Sequence, residues 1–134
     1  MRTIKIIIST FIGLFTLTIM WFYISSTYVM PWEKNDIIQL TLEWGGLANL
    51  PKGTNNLKVE KKGNLFTREF LIEFEVDNTT KIHDWIQKSK RLNQNIPKLR
   101  EQTRVYEIYP GENNSTGGKV EIHENKIRIN MSWS

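Results

Sequence analysis

Nineteen consecutive residues, Ile6 to Ile24, carry no charge and no proline. At 1.5 Å per residue, a helix of that length is about 28 Å long, close to the roughly 30 Å hydrocarbon core of a bilayer. Ser9, Thr10, Thr16 and Thr18 interrupt the apolar run, but hydroxyls can return a hydrogen bond to a carbonyl one turn back and so remain compatible with lipid. Trp21, Phe22, Tyr23, Tyr28 and Trp32 crowd the far end, where amphipathic rings favour the headgroup level. Residues 6–24 are therefore expected to cross a membrane.

The flanking charges predict the direction. Arg2, Lys5 and the chain amine precede the span, whereas the first charges beyond it, Glu33, Lys34 and Asp36, are of mixed sign. An excess of positive charge on the cytoplasmic side leaves the N-terminus in the cytoplasm and the rest of the chain outside it, in the periplasm or extracellular space. A cleaved secretory signal is the competing reading. Such a signal has an apolar stretch of about 7–15 residues and a small-residue cleavage motif. Here the stretch is longer, and only Ser25-Ser26-Thr27 supplies small residues. A retained anchor is the expectation, and either reading exports the C-terminal domain.

The organisation expected is an anchor over residues 1–26, a short stalk over 27–34 and one extracytoplasmic domain over 35–134. The chain has no cysteine. An exported domain of this size then has no disulfide to staple it and must rely on its own apolar core.

Within that domain, period-2 patterns dominate. Ile38, Leu40, Leu42 and Trp44 alternate with polar residues, which predicts a first strand. Leu57 and Val59 suggest a second, and Gly63-Asn64 a tight turn. From Phe66 onward, Phe70, Ile72, Phe74 and Val76 alternate with Glu69, Leu71, Glu73 and Glu75. Asp77, Asn78 and Thr79 end that strand and offer capping oxygens. Ile82, Trp85, Ile86 and Ser89 then share the spacing of one helical face, in a helix that must stop before Pro97. Arg104–Tyr109 predicts another strand. Lys119–His123 and Lys126–Trp133 predict a hairpin turning at Glu124-Asn125. The expected fold class is α+β: an N-terminal transmembrane helix, then a small, mainly antiparallel sheet with one main helix packed on one face, in the order β-β-β-α-β-β-β.

Catalytic chemistry finds few residues to use. His83 and His123 are the two histidines, and no short His-x-x-His spacing offers a metal clip. Glu69, Glu73 and Glu75 share the outward face of one strand, where ordinary ionised carboxylates, or ion pairs to Lys58 or Arg128, are expected. No serine stands in a nucleophile elbow, and Gly45-Gly46 and Gly117-Gly118 lack the lysine-hydroxyl sequence of a phosphate loop. No cofactor, metal site or catalytic set is predicted. An enzyme would need dispersed residues, with Glu73, Glu75 and His123 as the candidates. The N-x-S/T spacings at Asn78, Asn113, Asn114 and Asn130 are read as chance.

One charge feature supports a binding hypothesis. Lys88, Lys90, Arg91, Lys98, Arg100 and Arg104 cluster in sequence, relieved only by Glu101. Setting Arg2 and Lys5 aside from the 18 basic residues leaves near balance with the 14 acidic ones, so the cluster is a local property. Export makes nucleic acid a poor partner. A negatively charged protein or anionic headgroups fit better. The function expected is a membrane-anchored, non-enzymatic module that binds or inhibits a protein, such as a toxic or hydrolytic one. The alternative is an accessory or scaffold subunit of an envelope complex, acting partly through its transmembrane helix, whose Ser9 and Gly13 are spaced for close helix approach.

Overall fold

The computed structural model describes every residue except Leu65. Its first element, α1 (Arg2–Thr27), is one continuous helix with no buried residue. It is the single helix among the described residues that is long and apolar enough to cross a membrane. The hydroxyls of Thr10, Thr16 and Thr18 donate to the carbonyls of Ile6, Ile12 and Leu14 at 2.8–2.9 Å. Each of these polar side chains is thereby satisfied inside its own helix.

The next element corrects an expectation. Residues 38–44 do not form a strand but belong to a second helix, α2 (Lys34–Gly45). Alternation placed Leu40 inside and Thr41 outside, yet Thr41 is fully buried and Leu40 is 38% exposed. The buried set is Ile37, Ile38, Thr41, Leu42, Trp44 and Gly45, a helical face. Gly46 ends the helix in the left-handed region (φ 56°). Its N–H donates to the Glu43 carbonyl at 3.1 Å and that of Leu47 to the Leu42 carbonyl at 2.8 Å, the paired bonds of a Schellman cap.

The chain then builds β1 (Thr54–Gly63) and β2 (Arg68–Val76), crosses through α3 (Thr79–Lys88) and the single turn α4 (Lys90–Asn93), and returns as β3 (Lys98–Arg100), β4 (Thr103–Ile108), β5 (Gly117–His123) and β6 (Lys126–Trp133). All six strands make one sheet in the order β1-β2-β6-β5-β4-β3, and every neighbouring pair is antiparallel. The last four strands form a meander, and β6 closes against β2. The outcome is a mixed α+β fold with helices packed on the sheet. Asn78 caps α3 by accepting from the Thr80 N–H at 2.8 Å. The expected hairpin turns at Glu124-Asn125, with Glu124 at φ 51°.

One face of the sheet is the core. Phe70, Ile72, Phe74 and Val76 of β2 lie beside Ile127, Ile129 and Met131 of β6, next to Val120 and Ile122 of β5. Two tryptophans anchor the helices to this face. Trp44 of α2 stacks on Phe70 with ring centroids 5.1 Å apart, and Trp85 of α3 meets Phe74 edge-on at 6.0 Å. One strand thus carries both helices, α2 over one end and α3 over the other.

Candidate functional site

The six basic residues singled out by sequence do not form one surface. Lys88 ends α3, and Lys90 and Arg91 lie on α4. Lys98 and Arg100 pair with Val105 and Thr103 across β3 and β4, whereas Arg104 pairs with Leu99. Successive strand residues face opposite sides. Arg104 therefore lies on the helix-bearing side and Lys98 and Arg100 on the other.

Half of the cluster is also engaged internally. Arg91 reaches Glu112 at 3.3 Å and donates to the Pro110 carbonyl at 2.6 Å. Its own N–H donates to the Gly46 carbonyl at 3.2 Å. The Glu112 N–H in turn donates to the Trp44 carbonyl at 2.7 Å. Arg91 and Glu112 thus tie the last turn of α2 to α4 and to the loop after β4. Lys90 adds a looser pair with Glu112 at 3.6 Å. Lys98 holds Glu107 at 2.6 Å, and the Lys98 hydrogen bond keeps the Glu107 carboxyl below its usual pKa.

What remains on the β3 edge is a mixed patch. Ile96 and Leu99 are 89% and 73% exposed, and they bracket Pro97 and Lys98 just before Arg100. Leu99 shares the helix-bearing side with Arg104, yet α2 packs over β1, β2, β5 and β6 and α3 over β2. The far edge of the sheet extends past their main cover.

The opposite sheet face is an ionic lattice. Glu73 accepts from Lys126 at 2.9 Å and from Arg128 at 2.8 Å. Hydrogen bonds from Lys126 first, then Arg128, hold its carboxyl down to about 2. Glu69 accepts from the Asn130 amide at 2.7 Å, and Lys119 pairs with Glu121 at 2.9 Å. Glu69, Glu73 and Glu75 share this face, as the alternation predicts, and Arg128 is the cross-strand partner anticipated for Glu73. His123 lies on the same side, 3.3 Å from the Thr103 hydroxyl. His83 is exposed on α3, the helix packed against the other face, so the two histidines are not brought together. Among the described residues no group of acidic and histidine side chains is arranged to hold a metal ion.

A second feature had no signal in the sequence. The last turn of α1 meets the β1–β2 hairpin and the first half of α2 around a crevice of about 440 Å³. Phe22, Ser25 and Ser26 form one wall and Leu40 another; Lys61, Arg68 and Phe70 belong to the sheet side. Lys61 crosses to Glu33 at 2.8 Å, and Glu33 also accepts from the Met30 N–H at 3.1 Å. The Lys61 hydrogen bond, then that backbone bond, lowers the Glu33 pKa. This ion pair ties the segment between α1 and α2 to the sheet.

No protein-family model matches the chain, and no curated protein or solved structure does so either.

Proposed function

We propose that this chain is a membrane-anchored, extracytoplasmic module that binds and restrains an acidic protein partner without catalysing a reaction. The anchor is α1, oriented by the positive charges of Arg2 and Lys5. The corresponding division is an anchor over 1–26, a stalk over 27–34 and a binding domain over 35–134.

The observation that carries this reading is the β3 edge, where Ile96 and Leu99 stand almost bare, with Arg104 on the same side of the strand as Leu99 and Arg100 on the other. Apolar anchors on an edge strand, with a cation on either side of it, suit a partner that grips the edge with a pocket and an acidic rim. The cations steer encounter, and the apolar side chains supply affinity once water is excluded.

The test is in-membrane cross-linking of the full-length protein with the combined changes Lys98→Glu, Leu99→Asp and Arg100→Glu. Arg91 is left intact because it holds α2 and α4 together. A control reverses Lys58, on the opposite edge strand. Loss of a specific cross-linked partner from the edge variant, with retention in the control, supports the proposal. An unchanged partner set in both removes the edge from the mechanism.

A further inference from the structure

The end of α1 brings a second part of the chain to membrane depth. Phe22, Ser25 and Ser26 line the crevice together with Gly63, Asn64 and Thr67, so the β1–β2 turn lies beside the last turns of the helix. If Ile6–Ile24 fills the hydrocarbon core, those helix residues stand where acyl chains give way to headgroups. The turn beside them is at that level too.

This turn presents an apolar side chain and closes off its own polar groups. It reads Asn64-Leu65-Phe66-Thr67, and Phe66 is 79% exposed. The N–H groups of Phe66 and Thr67 both donate to the Asn64 side-chain oxygen, at 2.9 and 3.0 Å. The Thr67 hydroxyl donates to the same oxygen at 3.2 Å, and the Asn64 N–H donates to the Thr67 carbonyl at 3.0 Å. Four donors that water would otherwise satisfy are thus bonded within the turn. Such closure matters little in bulk water, but a backbone that enters a water-poor layer requires it. A bare phenyl ring gains by leaving water, and the boundary between headgroups and acyl chains accepts it.

Charge gives no preference for a particular lipid. Lys61 and Glu33 neutralise each other across the crevice, and Arg68 and Asp36 add one charge of each sign. Lys62 stands opposite Glu69 in the strand register, on the other face of the sheet. Contact at the turn is therefore a matter of apolar burial, not of headgroup charge.

We infer that the β1–β2 turn is a second membrane contact, in which Phe66 inserts into the interface of the bilayer that α1 crosses, whatever the charge of its lipids. The domain then meets the membrane at the helix and at the turn, and does not pivot freely on the link between α1 and α2. β3, at the opposite edge of the sheet, is thereby held in one orientation relative to the surface. The inference rests on the reading of α1 as a membrane span and needs no protein partner.

The test uses the full-length protein in vesicles of phosphatidylcholine. The chain has no cysteine, so one nitroxide label can be placed by Thr67→Cys, beside Phe66, or by Glu124→Cys, at the opposite end of the sheet. The label at 67 should collide preferentially with oxygen dissolved in the bilayer, and the label at 124 with an aqueous nickel chelate. Phe66→Asp should abolish the oxygen preference at 67, and Phe66→Leu should keep it. Adding phosphatidylglycerol to the vesicles should leave it unchanged.

Equal aqueous accessibility at 67 and 124 overturns the inference. An oxygen preference that survives Phe66→Asp overturns the role of the ring, and one that appears only with phosphatidylglycerol overturns a contact independent of charge. Release of the chain from the vesicles by an alkaline wash would sink the spanning reading and the inference with it. An aqueous turn on a chain that resists the wash sinks the inference alone.

Discussion

The indole N–H of Trp85 donates to the carbonyl of Ala48 at 3.0 Å. One turn further on, at the C-terminal cap of α3, the Ser89 hydroxyl accepts from the Ala48 N–H, also at 3.0 Å, and donates to the Trp85 carbonyl at 2.8 Å. Both backbone groups of Ala48 are therefore satisfied by one helix, 37 and 41 residues away in sequence. This joint seats the segment between α2 and β1 against α3. Trp85→Phe keeps most of the apolar contact with Phe74 but leaves the Ala48 carbonyl without its donor. The expected cost is about 1–3 kcal/mol, measured by urea unfolding of the full-length protein in mild detergent. Ser89→Ala should cost a similar amount. The double variant should cost less than the sum, since both bonds serve one residue.

Gly46 and Gly13 make a controlled pair. Gly46 has φ 56°, and a Cβ there would lie 2.5 Å from Cγ of Arg91. Gly46→Ala should lower stability by about 1–3 kcal/mol, combining left-handed strain with displacement of the Arg91 side chain. A Cβ on Gly13 meets nothing within 4 Å. Gly13→Ala should leave domain stability unchanged by the same unfolding measurement.

The strand from Phe70 to Val76 was legible in the sequence because its faces alternate cleanly: core on one side and, Leu71 apart, carboxylates on the other. The stretch from Ile37 to Gly45 was not, because so short a segment satisfies two periods almost equally. Ile38, Leu42 and Trp44 fit both. Leu40 and Thr41 are the pair that decide, and the Gly45-Gly46 doublet was the available signal for a helix stop. Strand order was hidden for another reason. The placement of β6 between β2 and β5 depends on contacts such as Ile72 with Ile129, which no local pattern encodes. The crevice is equally non-local, since Ser25, Leu40 and Arg68 converge only through the packing of α1 and α2 against the hairpin. The basic cluster shows the opposite failure: residues adjacent in sequence were separated by the two faces of the sheet.

That separation can be tested by comparing two arginines. Arg91 bonds to Glu112 and Pro110 and is only partly exposed. Arg91→Glu would set two carboxylates together at the joint between α2, α4 and the loop after β4. It should destabilise the fold by about 2 kcal/mol or more. Arg100 has no ion-pair partner among the described residues, and Arg100→Glu should remain within about 0.5 kcal/mol of wild type. Thermal unfolding monitored by circular dichroism separates the two outcomes.

The Glu73 lattice predicts an acid limb of defined sign. Its carboxyl is held down to about 2 from an ordinary value of 4.5, so the unfolded chain binds the proton more readily than the folded one. The stabilisation from its ion pairs is fully present above 4.5 and disappears as pH falls from there through about 2. Glu73→Gln removes the group that titrates. The gap in melting temperature between wild type and Glu73→Gln should be constant at neutral pH and should close below pH 4.5. A gap independent of pH down to the acid limit would show that Lys126 and Arg128 do not depress this carboxyl.

Membrane orientation gives the most consequential test, because the proposed binding role assumes that the domain lies outside the cytoplasm. The assumption rests on Arg2 and Lys5 before the span and on the mixed charges of Glu33, Lys34 and Asp36 after it. With no native cysteine, Glu124→Cys places a single thiol on the exposed β5–β6 turn, and Thr3→Cys places one before the span. A membrane-impermeant maleimide applied to intact cells, or to cells with a permeabilised outer membrane where one exists, should label position 124 and spare position 3. Lysis should make both reactive. Adding Arg2→Glu and Lys5→Glu removes the positive bias and should lower labelling at 124 in unlysed cells, because part of the population inserts the other way or fails to insert. Labelling at position 3 with protection at 124 would place the domain in the cytoplasm. An extracytoplasmic partner would then be ruled out.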